Sequence, residues 1–330
     1  MTHSVANPWF FAAFLAVVLV LLAIDLGIFQ RKAHAVSMKE ALVWSAFWVL
    51  LSLLFGSCVF IKLGSRPGLE FFTGYLVEYA LSVDNIFVFI LIFSYFAVPA
   101  RLHHRVLFWG ILGALIMRGG FILAGSQLIQ AFHWVLYLFG AFLIFSGIKI
   151  LRQKGDTKVE PERNPVVRLF QRIVPMTSGY SGGAFFLRHA GKFVATPLAL
   201  VLVTVETTDL VFAFDSIPAI FGVTTDWFIV LTSNICAILG LRSMYFVLAA
   251  VVDRFVYLGT GLGIVLSFIG VKMLLGDIYP IGIETSLLVV AAILACSVVL
   301  SLVRPPRARK SSPDTSIPAQ LLVRSEGKQE

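Results

Sequence analysis

The chain has 330 residues, 58% of them hydrophobic and 13% charged, and carries a formal net charge of +8. A soluble domain carries about 25% charge, and the mean hydropathy here is +0.91. These values exclude a soluble enzyme, a nucleic-acid binder and a disordered chain, and predict a polytopic membrane protein.

A transmembrane helix needs ~20 mostly apolar residues. Nine runs meet that need, at about 8–29, 41–61, 70–97, 106–129, 132–151, 194–221, 227–251, 255–275 and 284–303. None shows the alternation of a membrane strand, so a barrel is excluded. Residues 1–8 hold no Lys or Arg, whereas Arg31 and Lys32 follow the first run. That order predicts a retained anchor with its N-terminus outside, not a cleaved signal.

The remaining basic residues extend the same topology. With the N-terminus outside, 20 of the 26 Lys and Arg residues fall on the cytoplasmic side. Only Lys62 and Arg66 fall on outer loops, and Asp226 and Asp277 stand on the other outer segments. This bias predicts a cytoplasmic C-terminus and accounts for the net charge without an anionic ligand. Residues 1–303 then form the transmembrane domain. It is interrupted by a basic cytoplasmic loop at 152–193, and a Pro-containing tail at 304–330 reads as disordered.

The chain repeats itself. Glu78 and Asp84-Asn85 in the third run align with Asp209 and Asp215-Ser216 in the sixth. Arg118 in the fourth aligns with Arg242 in the seventh. Phe145-Ser146-Gly147-Ile148-Lys149 aligns with Phe268-Ile269-Gly270-Val271-Lys272. Each unit therefore has three spans, about 70–151 and 194–275. Two consecutive odd units lie in the membrane with opposite orientation. The expected fold is an all-α polytopic membrane protein of nine transmembrane helices, with an inverted repeat of spans three to five and six to eight. Secondary transporters use such repeats and place their substrate near the midplane between them.

Five carboxylates lie within the third and sixth runs: Glu78, Asp84, Glu206, Asp209 and Asp215. Each costs ~2.5–3.5 kcal/mol at a helix centre on insertion scales, or ~12–18 kcal/mol for the set. Total folding stabilities are only ~5–15 kcal/mol, so the cluster requires compensation. Arg118 and Arg242 balance two of the five, and the remaining excess points to a cation site or a proton path. The neighbouring groups are oxygen donors: the Asn85 amide and the Ser82, Ser216, Thr207 and Thr208 hydroxyls. No histidine or cysteine adjoins the acids. An oxygen-only set suits magnesium, calcium or manganese over zinc or copper, and spacing does not choose among the three. Pro218 has no N–H for the Phe214 carbonyl, which makes that carbonyl a further candidate ligand at a break in the sixth span. Asp25 and Glu70 read as solvated charges at span ends.

Cys58, Cys236 and Cys296 lie singly in apolar stretches, without the CxxC spacing of a redox or zinc motif. There is no GxGxxG, Walker loop or haem motif, so no enzymatic activity and no resident cofactor is expected.

Three segments resemble the signatures of the TerC family, and the resemblance runs over roughly residues 10–303. They are Glu78-Tyr79-Ala80-Leu81-Ser82-Val83-Asp84-Asn85, the stretch from Glu206-Thr207-Thr208-Asp209 to Asp215-Ser216-Ile217-Pro218-Ala219, and that from Leu231-Thr232-Ser233-Asn234 to Arg242-Ser243-Met244-Tyr245-Phe246. The chain is most similar to the Alx-like bacterial branch. That resemblance implies a nine-span inner-membrane protein of the lysine-exporter-type superfamily, active in manganese(II) efflux or in manganese delivery to extracytoplasmic enzymes. It implies a metal site at Glu78, Asp84, Asn85, Glu206, Asp209 and Asp215, with Arg118 and Arg242 as charge partners. The leading expectation is a manganese(II) exporter with proton exchange. The alternative is a non-transporting membrane factor that assembles or metallates membrane and secreted proteins, with loop 152–193 and the tail as docking surfaces.

Overall fold

The structure is a computed structural model that describes residues 5, 7–29, 37–152, 164–177, 179–189, 192–251 and 257–303. The side chain of Asp25 and the tail 304–330 lie outside the described residues, as does segment 153–163 with its share of the basic loop.

The apolar runs fold as helices. The first two are α1 (Pro8–Phe29) and α2 (Met38–Leu63). Ser37 caps the start of α2: its hydroxyl accepts from the Glu40 N–H at 3.3 Å. Gly64, at φ +107°, then turns the chain directly into α3 (Ser65–Tyr95), a conformation glycine adopts at little cost. α4 (Ala100–Ala131) follows Pro99, and α5 (Val135–Arg152) follows a short turn.

The basic loop has structure of its own. It carries a short helix, α6 (Pro165–Ile173), and a hairpin of β1 (Phe186–His189) with β2 (Lys192–Ala195). Asn164 caps α6, accepting from the Val166 N–H at 2.9 Å and the Val167 N–H at 3.4 Å.

The chain then continues as α7 (Pro197–Phe221), α8 (Trp227–Leu239), α9 (Leu241–Ala249), α10 (Leu258–Leu274) and α11 (Ile283–Val303). Among the described residues, six helices are long and apolar enough to cross a membrane: α2, α3, α4, α5, α7 and α11. The bent pair α8–α9 raises the number to seven, while α10 and the Trp9–Leu21 part of α1 are shorter apolar helices. The protein is thus a helical polytopic membrane protein.

The sequence places a helix break at Pro218. The structure instead keeps Pro218 within a continuous α7, and the discontinuity falls at Gly240, where α8 and α9 meet at 44°. Trp48 of α2 packs beside this bend, 3.4 Å from where a Gly240 Cβ would lie.

α3 is the most buried of the membrane-length helices and touches α2, α7, α8, α9 and α11. The tightest pairing joins α5 to α10. A Cβ on Gly147 would lie 2.6 Å from the Gly263 carbonyl oxygen, and one on Gly270 would lie 2.6 Å from that of Gly140. The reverse approaches, Gly140 to Gly270 and Gly263 to Gly147, are both 3.0 Å. The two contacts run in opposite sequence directions, so the helices are antiparallel. Glycine at all four places lets the backbones touch.

Candidate functional site

The site forms where α3, α4 and α7 meet. Arg118 projects from α4 and is only 1% exposed. Its Nη1 donates to Glu78 of α3. Its Nε and Nη2 donate to the two Asp209 carboxylate oxygens of α7, at 3.1 and 3.0 Å. This is the two-pronged geometry that suits a guanidinium to a carboxylate. Nη1 also donates to Ser216 Oγ at 3.3 Å. With its amide oriented to satisfy both ends, Asn85 accepts from Arg118 Nη2 at 3.2 Å and donates to the Leu81 carbonyl at 3.1 Å. Four of the residues singled out in the sequence therefore converge on one arginine: Glu78, Asn85, Asp209 and Ser216.

Among the described residues, the other acids make no hydrogen bond or ion pair with Arg118. Asp215, also on α7, accepts from Ser146 Oγ of α5 at 2.6 Å. Residues six apart on a helix differ by about 120°, which turns Asp215 away from Asp209 and Asp84 away from Glu78. Asp84 has no hydrogen bond or ion pair among the described residues. Glu206 packs directly on the Gly113 backbone of α4, leaving no room there for a side chain. Arg242 lies at the start of α9, next to Leu241. Among the described residues, no three His, Cys, Asp or Glu side chains are grouped closely enough to hold a metal ion.

Several buried oxygens lack a hydrogen-bond partner: Glu78 Oε2, Ser82 Oγ and Glu206 Oε2. Glu78 and Ser82 are one turn apart on the same face of α3. Leaving such groups unsatisfied costs about 1–3 kcal/mol each, more for charged ones. Arg118 is one cation shared by two carboxyl groups, Glu78 and Asp209. Beside Asp209, a small cavity lies between α3, α4, α7 and the α8–α9 bend. Its walls include Leu107, Gly110, Ala114, Val205 and Leu241, and Asp209 is its acidic member.

Two features were not legible in the sequence. Ser146 gives no signal of its own, because its pairing with Asp215 depends on how α5 meets α7. Glu70, read as a solvated rim charge, is buried. It accepts from Arg66 Nε at 3.0 Å and from Thr224 Oγ1 at 2.7 Å. The i,i+4 spacing of Arg66 and Glu70 was the available clue.

The comparisons with known proteins agree with this architecture. The family model for the integral membrane protein TerC family matches residues 63–309. An uncharacterized membrane protein of Myxococcus xanthus is 51% identical over 94% of this chain and 97% of its own length. Proteins named "Putative membrane-bound redox modulator Alx" in Salmonella typhi and Escherichia coli K12 are each 48% identical over 91% of this chain. The match covers 95% of the first and 96% of the second. No solved structure matches the chain. A family-model match over three quarters of the chain, with relatives 48–51% identical over more than nine-tenths of it, makes this chain a member of the TerC family of integral membrane proteins.

Proposed function

We propose that the protein exports manganese(II) across the inner membrane by alternating access of two inverted repeats, α3–α5 and α7–α10, within a nine-span chain. The observation that carries this reading is the sharing of Arg118 by Glu78 and Asp209, which occupy matching places in the two repeats. A guanidinium and a divalent cation compete for the same carboxylates. When the ion binds, Arg118 leaves; when the ion departs, Arg118 returns, and the two acids are never left bare in low dielectric.

The ion would be held by Glu78, Asn85 and Asp209, with the partnerless Glu78 and Ser82 oxygens facing it. Asp84, Glu206 and Asp215 stand around this centre and join the ligand set as the repeats rock. A rearrangement is required, because a single arrangement of α3 and α7 cannot aim all six groups at one point. Oxygen donors alone fit a hard divalent ion, and manganese is the ion that the family resemblance implies. Carboxylates in low dielectric take up protons when a metal leaves, so proton exchange is the coupling proposed. The cavity beside Asp209 offers the approach from the side where α4 and α7 begin, which the basic residues make cytoplasmic.

The α5–α10 contact supports the inverted repeat. Gly147 aligns with Gly270, and the same offset aligns Gly140 with Gly263. Exchanging the two members of each aligned pair turns one 2.6 Å approach into the other, and one 3.0 Å approach into the other. A two-fold axis in the membrane plane has this effect. The redox wording of the relatives' names finds no dithiol pair here. Cys58, Cys236 and Cys296 are free and stand on α2, α8 and α11. The alternative of a non-transporting assembly or metallation factor predicts that loop and tail changes matter more than the acids.

The deciding experiment is uptake of magnesium, calcium and manganese into proteoliposomes that enclose a pH reporter. Manganese flux with a coupled pH change is expected, lost in Asp209→Asn. Equal flux from native and Asp209→Asn protein would overturn the assignment.

A further inference from the structure

α6 carries an interaction surface separate from the acid cluster, and its position defines what that surface meets. At its start, Asn164 donates to Thr207 Oγ1, 2.9 Å away and ten residues into α7. Past its other end, the Ala195 N–H donates to the Pro175 carbonyl at 2.8 Å, and the Thr177 N–H to the Ala195 carbonyl at 2.9 Å. Ala195 stands two residues before α7. The helix is therefore pinned at both ends and runs antiparallel along the first ~15 Å of a membrane-length helix.

Val167 faces the protein and is 1% exposed. The opposite arc is open, with Val166 at 47%, Leu169 at 56% and Ile173 at 68%. On an ideal helix these three fall within about 60° of one another, and Arg168 and Arg172 fall within about 40° of each other on the adjoining arc. Both arginines are exposed. One open face thus has an apolar edge and a cationic edge side by side. Such a pairing suits a helix standing along a membrane-length helix near the bilayer surface: the apolar arc meets acyl chains, and the long side chains of Arg172, next to the end where α7 begins, and Arg168, one turn deeper, extend up to the headgroups.

We propose that the open face of α6 binds anionic membrane lipid. Val166, Leu169 and Ile173 meet the acyl chains, and Arg172 with Arg168 meets the phosphate-bearing headgroups. Two observations select lipid over a protein partner. The face lies alongside a membrane-length helix, where acyl chains are the surrounding medium. Its charged edge has the sign that complements an acidic headgroup. This inference stands whether or not the protein moves a metal.

The test uses the full chain with the exposed Cys58 and Cys296 replaced by alanine and a bimane label on Leu169→Cys. The label is read in phosphatidylcholine vesicles with and without phosphatidylglycerol, using nitroxide lipids as the membrane quencher and iodide as the aqueous one. Quenching by nitroxide lipid is expected. It should strengthen with phosphatidylglycerol, and that gain should vanish in Arg168→Gln/Arg172→Gln. Quenching by iodide alone, or quenching indifferent to phosphatidylglycerol, would overturn the proposal. So would a label reached by nitroxide lipid in vesicles but shielded in native membranes, which would mean that a protein covers the face. Ile173→Cys gives the same reading where Leu169→Cys fails to elute as a folded species.

Discussion

Glu78 and Asp209 hold one arginine between them from two different helices: Arg118 meets Glu78 through Nη1 and grips Asp209 through Nε and Nη2 at 3.1 and 3.0 Å. Removing one partner of a buried ion pair costs about 3–5 kcal/mol, because the other charge is left uncompensated. Arg118→Met should lower the thermal unfolding midpoint in detergent by that order. Arg118→Lys keeps the charge but not the fork, so it should recover only part of the loss. Glu78→Gln/Arg118→Met/Asp209→Asn removes the charges together and should unfold near the native midpoint while binding no manganese. A triple variant as unstable as Arg118→Met would show that packing, not charge, is what Arg118 supplies.

The α5–α10 contact makes a prediction about sign. Gly→Ala in an open helix interior gains roughly 1 kcal/mol of helix propensity. Gly120, inside α4, has nothing within 4 Å of its would-be Cβ, so Gly120→Ala should leave stability unchanged or raise it. Gly147→Ala and Gly270→Ala each push a methyl to 2.6 Å from a backbone carbonyl oxygen, and overpacking costs ~1–3 kcal/mol. Both should destabilise, and by similar amounts, because the two contacts are copies of each other. Differential scanning fluorimetry of the three variants checks both the sign and the match.

Much of the helix layout is written in local hydrophobic pattern, which the sequence exposes directly. Each of the nine apolar runs coincides with a helix or, at 227–251, with the bent pair α8–α9. The convergence of Arg118 on acids was also legible, since a buried arginine and buried acids at repeated places have few other partners. What escaped depends on contacts between segments distant in sequence. Ser146 matters only because α5 meets α7. The break falls at Gly240, where α8 and α9 meet, and not at Pro218, which stays within α7. α6 was hidden in a loop read only for its net charge, although Val166, Leu169 and Ile173 recur at helical spacing.

Tyr180, outside the helices, offers a prediction in pH. Burial pushes its hydroxyl up to about 12, and its neutral O–H donates to the Phe96 carbonyl at 2.7 Å. The folded state thus keeps the proton that the unfolded chain loses near pH 10. Its contribution is fully present below pH 10 and is lost as pH rises from there towards 12. Tyr180→Phe should cost ~1 kcal/mol at neutral pH and flatten the decline between pH 10 and 12. Urea unfolding at pH 8, 10 and 11 measures both effects, and an unchanged slope in Tyr180→Phe would assign the alkaline loss to other groups.

Asp215 and Ser146 allow structural and ion-handling roles to be separated. Ser146 Oγ donates to Asp215 Oδ1 at 2.6 Å, joining α5 to α7. A hydrogen bond to a charged group contributes about 1.5–3 kcal/mol, so Ser146→Ala should lower stability while leaving the carboxylate in place. Asp215→Asn keeps an acceptor for Ser146 and removes only the charge. If Asp215 serves merely to tie the helices, Asp215→Asn should behave like native protein in both stability and manganese flux, and Ser146→Ala should be the weaker variant in both. If Asp215 handles the ion, Asp215→Asn should unfold near the native temperature yet carry no flux, whereas Ser146→Ala should be less stable but still transport. The flux orders are opposite while the stability order is the same, so proteoliposome flux on this pair of variants decides between them, with the unfolding midpoints showing that both are folded.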